Sequence, residues 1–287
     1  MRGTLSNGFR APSLAQQNYE SITTLIQNGV LAQIGTYRTS DPVAIALGAK
    51  PLTPEKSTNF SFGGVWSPID NFNATLDIYQ IRIGSQILYS DQIALTPTPD
   101  SQVSGAQFFV NGATTRTRGI DLLGTYRIDL NKYGALNLTA SGNWNQTSIL
   151  SVNTLDLFGR ASQGLVTYGT PRTKYMLGSD WLFAGFDIHA NATRYGAVTR
   201  LGDDVQGAED EKFAARWLLD FAASYTIDKW TFTAGADNLT NQYPTKVTLE
   251  ASNGFGYEDR YDGLQYSALS PFGFNGRFAY VKIAYRW

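Results

Sequence analysis

The chain has 287 residues, a formal net charge of −1 and no cysteine, and only 16% of its residues are charged. A net charge near zero provides no broad positive field for nucleic acid, and the lack of cysteine excludes disulfides, thiol nucleophiles and thiolate metal sites. The sequence has no apolar run of about 18 residues, so a helical membrane span is excluded, and a chain in a bilayer would have to form a β-barrel.

Segments of alternating apolar and polar residues recur along the whole chain. In the clearest of them, Leu136 and Leu138 alternate with Asn137 and Thr139, which is the period of a β-strand with one apolar face. In chain order the alternation predicts about ten strands, at residues 3–7, 59–66, 72–79, 119–128, 135–145, 174–183, 186–193, 217–227, 230–237 and 277–287.

The connections between these strands alternate strictly between short and long. The short ones are rich in Gly, Pro, Asn and Asp, as tight turns require, and lie at residues 67–71, 131–134, 184–185 and 228–229. The long ones lie at residues 9–57, 84–114, 149–171, 201–214 and 238–275. This pattern predicts an all-β fold, a transmembrane antiparallel β-barrel with short periplasmic turns and long extracellular loops.

Some charged residues are candidates for chemistry inside such a barrel. His189 is the only histidine, and Asp187 lies two residues before it on the same strand face. The two side chains could form an acid–base pair, but a polar lining is the favoured interpretation. Other charged residues on the predicted inner face would line a passage or contact a segment held inside it: Asp121, Arg127, Lys174, Asp180 and Asp220.

An acidic cluster lies in the connection 201–214 and consists of Asp203, Asp204, Glu209, Asp210 and Glu211. These carboxylates could coordinate Ca²⁺, but they lack the regular spacing of a calcium loop, which favours a solvated acidic loop. We therefore predict no metal site.

The last long connection combines aromatic residues with charges of both signs. This composition is typical of a surface that stacks on a polar ligand and hydrogen-bonds to it, although a packed loop that covers the barrel mouth fits equally well. The candidate ligand-binding residues are Tyr257, Glu258, Asp259, Arg260, Tyr261 and Tyr266.

The chain ends on an alternating strand with no tail. Ile283, Tyr285 and Trp287 share one face, against Lys282 and Arg286 on the other. This bare aromatic carboxy-terminus resembles the closing strand and assembly signal of bacterial outer-membrane barrels.

Four sequence strings resemble motifs of TonB-dependent receptors, in the order that the family has them. Residues 2–14 resemble R-x-T-x-S-x-G-F-R-A-P-S-L, and residues 52–60 resemble the start of L-x-P-E-x-S-x-N-x-E, with Ser61 in the acidic position. Residues 117–121 are similar to x-R-G-x-E, and residues 236–244 to V-x-N-L-F-N-x-x-Y. The motif residues with an expected architectural role are Gly8, Phe9, Arg10, Pro12, Asn238, Leu239, Asn241 and Tyr243.

The resemblance implies a barrel of about 22 strands, filled by an amino-terminal plug. We therefore interpret residues 1–287 as the carboxy-terminal part of that barrel, without the plug domain or the signal peptide. The implied location is the outer membrane of a Gram-negative bacterium. The implied partners are outer-membrane lipid, the plug and remaining strands, the TonB complex through the plug, the barrel-assembly machinery and a small nutrient.

The function implied by the resemblance is TonB-energised import of a scarce nutrient, which would be a siderophore, haem, cobalamin or an oligosaccharide. No enzyme activity and no cofactor are expected. The alternative is a complete ten-stranded barrel that acts as a passive pore or as an outer-membrane protease.

Overall fold

The computed structural model describes residues 1–27, 30–96, 102–153, 157–202, 206–248 and 265–287. Within these ranges, ten strands form one antiparallel sheet in which each strand pairs with the next along the chain. The strands are β1 (Arg2–Arg10), β2 (Glu55–Ile69), β3 (Phe72–Tyr89), β4 (Phe109–Asp129), β5 (Ala135–Val152), β6 (Thr173–Phe183), β7 (Phe186–Tyr195), β8 (Arg216–Ile227), β9 (Trp230–Asp237) and β10 (Phe278–Tyr285).

The sheet does not close on itself, because β1 and β10 are its two edges. Since neighbouring strands are antiparallel, the short turns all lie at one end of the sheet and the long connections all lie at the other. Ala184 and Gly185 form a two-residue turn, with φ of 47° and 84°, the two left-handed residues that a type I′ hairpin needs. The predicted strand count and the two classes of connection are thus confirmed.

One face of the sheet carries an apolar band across all ten strands. The register places Ile78 between Phe62 and Ile120, and Phe232 between Tyr225 and Ile283. Because directly opposite residues project to the same side, these rows form a continuous apolar surface. The opposite face, which we call the polar face, carries most of the charged and amide side chains of the strands.

Several strands are longer than the alternation predicted. Strand β3 continues to Tyr89, where residues 72–79 were expected, and β4 begins at Phe109, where residues 119–128 were expected. Beyond Tyr79 the apolar residues of β3 change face: Ile81 and Ile83 share the face of Asp77, and a register shift follows after Ile83. The pattern of one apolar and one polar face therefore ends while the backbone ladder continues. The prediction therefore located the apolar part of each strand and missed its extension toward the long connections.

The long connections contain regular structure of their own. Helices α1 (Leu14–Asn18), α2 (Pro42–Ala46) and α3 (Arg160–Tyr168) lie there, and a short 3-10 helix, Asn131–Tyr133, lies in a turn. A four-stranded sheet joins segments of two connections, with its strands in the order Ser21–Gln27, Val30–Thr36, Val103–Gln107 and Ile93–Ala94. A separate hairpin pairs Val198–Arg200 with Glu211–Phe213.

We call the five long connections together the loop layer; it comprises residues 11–54, 90–108, 153–172, 196–215 and 238–277. Its main apolar core packs Ala44 and Ala49 of the first connection against Phe108, Leu157 and, from the start of β4, Val110. The long connections therefore pack against one another at one end of the sheet. No helix in the described ranges is long and apolar enough to cross a membrane.

Candidate functional site

The polar face carries a row of directly opposite residues that runs across the strands. Register places Arg2 opposite Gly63, Gly63 opposite Asp77, and Asp77 opposite Asp121. Arg2 spans the glycine and donates two hydrogen bonds to Asp77, one of them 3.0 Å from Nε to Oδ1. A Cβ on Gly63 would lie 1.9 Å from Asp77 Oδ1, so the missing side chain is what makes room for this ion pair.

The charged residues that the alternation placed on the inner face do share the polar face. Asp121 accepts a hydrogen bond from Asn143 Nδ2, and Asp220 Oδ1 accepts one of 2.8 Å from the Asn238 backbone N–H. The Lys174 ammonium lies 5.1 Å from the ring centroid of Tyr195. Arg127 and Asp180 project to this side as well.

His189 contacts an acid other than Asp187, the residue two positions before it. Its Nδ1 lies 2.6 Å from Asp180 Oδ1, and the two residues are directly opposite on β6 and β7. Asp187 is instead opposite Leu182. The structure therefore does not form the Asp187–His189 pair that the sequence left as the less favoured interpretation, because cross-strand neighbours are closer than residues two apart on one strand.

The first family-like string lies at the loop end of β1. Arg10 donates to both carboxylate oxygens of Glu55, at 2.6 Å and 2.7 Å. A Cβ on Gly8 would lie 2.9 Å from Ser57 Oγ, and the Phe9 ring is largely exposed on the apolar face. Pro12 precedes the capped start of α1.

The last family-like string closes the end of β9. Asn238 has φ of 50°, and its amide bonds in both directions with the backbone of Gln242, at 2.7 Å and 2.8 Å. Leu239 N–H donates to the Leu219 carbonyl at 2.6 Å. Asn241 Oδ1 accepts from Arg277 N–H at 2.9 Å, which ties this turn to the start of β10. The Tyr243 carbonyl accepts a hydrogen bond from Arg216.

Helix α3 links three of the long connections. Its first backbone N–H groups are not capped by Gly159, and Asp91 from another connection accepts from Gly159 N–H and from Ser162 Oγ. Arg160 donates to both carboxylate oxygens of Asp210, at 2.6 Å and 2.7 Å, and to the Gly202 carbonyl.

The hydrogen bonds from Arg160, assisted by the Gly202 N–H and the nearby cationic charge, hold the pKa of the Asp210 carboxyl below its ordinary value. They outweigh partial burial, which acts in the opposite direction. Asp210 is therefore favoured as a carboxylate and as a structural partner of Arg160.

Glu211 of the acidic cluster also takes part in a contact between loops. Glu211 Oε1 accepts from the backbone N–H and the hydroxyl of Thr248, at 2.6 Å and 2.8 Å. Asp203 and Asp204 lie outside the described residues. Within the described ranges, no three His, Asp or Glu residues are grouped as metal ligands would be. Asp210 and Glu211 therefore connect loops, which the sequence pattern alone did not reveal.

The candidate ligand residues of the last long connection fall mostly outside the described ranges. This applies to Tyr257, Glu258, Asp259, Arg260 and Tyr261. Tyr266 is described, and its ring is 7% exposed, stacked between Tyr243 at 5.9 Å and Phe274 at 5.8 Å. In this structure the ring of Tyr266 packs inside the loop layer.

A cleft of about 530 Å³ lies beside α3 in the loop layer. Leu88, Phe158 and Leu165 supply its apolar wall, and Tyr89 and Gln107 supply polar groups. Sequence reasoning missed this cleft, because its walls come from three segments far apart in the chain.

Comparison with known proteins gives one family and many similar structures. A model of the family "TonB dependent receptor-like, beta-barrel" matches residues 1–239. A search of curated protein sequences finds no match. Among solved structures, the copper transporter OprC aligns with a TM-score of 0.61 and 16% identity, over 99% of this chain and 36% of its own.

Two receptor structures are similar to the same degree. A mutant of the ferric enterobactin receptor PfeA from Pseudomonas aeruginosa gives a TM-score of 0.62 and 17% identity, over 99% of this chain and 37% of its own. The siderophore receptor PirA from Acinetobacter baumannii gives 0.58 and 15%, over 99% and 38%. The chain therefore spans little more than a third of the length of these structures, which share its fold.

Proposed function

Because the chain belongs to the family of TonB-dependent receptor-like β-barrels, we propose that it supplies barrel wall and extracellular loops to a receptor that imports a scarce nutrient. The family is one of outer-membrane transport receptors of Gram-negative bacteria and not a family of enzymes. The observation that carries the proposal is the division of the sheet into an apolar face, a polar face and a loop layer at one end.

In this proposal the apolar face contacts lipid and the polar face lines the barrel interior. Strands β1 and β10 have unpaired edges, which are costly in lipid. We infer that further barrel strands pair with both edges and that a plug fills the interior. The plug would carry the contact with the TonB complex. The row from Arg2 to Asp121 would then face the plug.

The alternative is a complete ten-stranded pore or protease. It requires β1 and β10 to pair with each other, whereas they lie at opposite edges of an open sheet. The contact of His189 with Asp180 is a single acid–base pair on the polar face, and no third His, Asp or Glu is grouped with it in the described ranges. No observation on the described residues favours this alternative.

The nutrient class is proposed as a metal or a metal chelate first. The neighbouring structures include a copper transporter, a ferric enterobactin receptor and a siderophore receptor. Haem, cobalamin and oligosaccharides remain as further classes, since fold alone does not fix the ligand. The proposed contacts are the aromatic and charged residues from Tyr257 to Tyr261.

The test uses the full-length protein in whole cells that lack competing receptors. Replacing Tyr257, Arg260 and Tyr261 together by Ala should reduce uptake of the cognate iron or copper complex by about tenfold or more, because each removes a stacking or charge-assisted contact. The matched control replaces Tyr19, Arg38 and Tyr133 together by Ala. All three side chains are about half exposed, and Tyr133 lies in a turn at the opposite end of the sheet. Full uptake by the first variant, at equal surface levels, would refute this ligand site.

A further inference from the structure

The charged residues on the apolar face all have the same sign. Register places Arg82 of β3 directly opposite Arg116 of β4, and places Arg118 opposite Gln80, on the same side as Leu76 and Ile78. Lys56 of β2 and Arg194 of β7 also project to this side. At the paired positions of the ten described strands, the apolar face carries no Asp or Glu.

The arginines lie where the apolar band ends on the side of the loop layer. On β4 the outward residues run from Ile128 to Ile120 and then continue as Arg118 and Arg116. A membrane-spanning strand needs about 9–11 residues, so Ile120 to Ile128 is long enough to cross most of the hydrocarbon. The arginines then lie at the level of the lipid headgroups and not in the hydrocarbon.

The other end of the same face has a different composition. Near the short turns it carries aromatic rings, among them Trp66, Phe72, Trp181 and Trp230. Such rings fit either membrane interface. The aromatic rings therefore do not identify a leaflet, whereas the arginines are found at one end of this face alone.

The arginines lack carboxylate partners from the protein. Within the described residues, none of Arg82, Arg116 and Arg118 forms a salt bridge. The Nε of Arg116 is buried without a hydrogen-bond partner, while Arg118 Nε donates to Gln80 Oε1 at 2.7 Å. Arg82 and Arg118 are exposed. Like charges directly opposite each other are unfavourable unless an anion lies between them.

We infer that Arg82, Arg116 and Arg118 bind the phosphorylated headgroup of an anionic lipid in the leaflet on the side of the loop layer. The planar guanidinium matches a phosphate in a bidentate manner, and clustered cations at a membrane surface attract anionic headgroups. The neighbouring apolar residues, such as Ile78 and Ile120, would contact the acyl chains. The site rests on the outer-membrane placement of the barrel and is independent of the nutrient that it transports.

The test measures lipid binding to the delipidated full-length protein in detergent micelles by native mass spectrometry. The probes are diphosphorylated lipid A, the same lipid without its phosphates, and inorganic phosphate. We expect the unaltered protein to prefer the diphosphorylated lipid. The variant R82Q/R116Q/R118Q should bind it about tenfold or more weakly, and R82K/R116K/R118K should fall between the two, since lysine keeps the charge but not the bidentate geometry.

The matched control is R127Q/K174Q/K282Q, which removes the same charge from the polar face and should keep full lipid affinity. The site is refuted if the control loses as much affinity as R82Q/R116Q/R118Q, if the dephosphorylated lipid binds equally well, or if inorganic phosphate displaces the lipid at equal concentration.

A second variant covers the case in which the triple variant does not fold. R82Q alone alters an exposed residue and should still weaken binding about threefold. Unchanged binding by R82Q would then refute the site. Nutrient uptake is a separate readout, so a failure of the transport proposal leaves this result intact.

Discussion

Glu55 and Arg10 are directly opposite each other on β2 and β1, and the carboxylate of Glu55 accepts two hydrogen bonds from the guanidinium of Arg10. Glu55 Oε1 also accepts from the Ile87 backbone N–H at 2.7 Å. Glu55 is 7% exposed, so it holds three strands together from an almost fully buried position. Arg10 and Glu55 are 45 residues apart in sequence, so the two strings that resemble family motifs meet in one contact.

Replacing Arg10 by Gln should destabilise the protein by about 2–4 kcal/mol, because it leaves the buried carboxylate of Glu55 without its cation. The measurement is the unfolding midpoint of the full-length protein in detergent, followed by heat-modifiable gel mobility. Arg38→Gln is the control, since the Arg38–Glu20 pair is about half exposed on both sides and should contribute well under 1 kcal/mol. Equal effects of the two substitutions would contradict the role assigned to Glu55.

A second prediction concerns Tyr79, whose ring covers Gly119 on the polar face. The two residues are directly opposite, and a Cβ on Gly119 would lie 2.3 Å from Tyr79 Cζ. Gly119→Val should therefore displace the ring and cost about 1–3 kcal/mol. Gly124→Ala on the same strand is the control, because its nearest neighbour atom would be 3.9 Å away.

The same prediction has an internal check in the double variant. If the clash with the ring causes the loss, Tyr79→Ala combined with Gly119→Val should recover part of the stability. A double variant as unstable as the sum of the two single variants would show that the ring is not responsible.

The sequence predicted the apolar parts of the strands and their faces well, because both follow from a period of two that burial on one side imposes. Leu136 and Asn137 project to opposite faces, as the alternation indicated. The extension of β3 to Tyr89 was not predictable, since Ile81 and Ile83 fall on the polar face and a register shift follows them, which ends the expected alternation. The local sequence pattern shows to which face of the sheet a residue projects, but it does not show how far the hydrogen-bonded pairing of two strands continues.

Long-range pairing explains the other differences. Asp180 and His189 are partners because the hairpin register places them opposite each other, and this register depends on the turn at Ala184 and Gly185. The contacts of Asp91 with α3 and of Asp210 with Arg160 join connections that are far apart in sequence. No spacing within one segment identifies such partners.

The Arg160–Asp210 contact predicts an acid-sensitive loop layer. The folded-state pKa of Asp210 is lowered, so its contribution to stability is complete above the unfolded value of about 4 and is lost as the pH falls through the lower folded value. Hydrogen exchange of residues 160–168 and 206–215 should accelerate on acidification across this range. Arg160→Gln should show fast exchange already at neutral pH and a weaker pH dependence; an unchanged profile in this variant would contradict the assignment.

The final prediction concerns the carboxy-terminal strand, where Trp230 of β9 lies opposite Tyr285 with ring centroids 4.8 Å apart. Trp287 follows at 5.4 Å from Tyr285 and is 99% exposed. A ring this exposed contributes little packing within the chain, which fits a role in recognition by the assembly machinery and not in stability. Trp287→Ser should therefore lower the amount of folded protein in the outer membrane several-fold while changing the free energy of unfolding of the purified protein by less than about 0.5 kcal/mol.

Arg286→Gln, one residue earlier and on the polar face, is the control for assembly. Normal outer-membrane levels of the Trp287 variant would refute the assembly role, and a lowered unfolding midpoint would assign Trp287 to the fold instead.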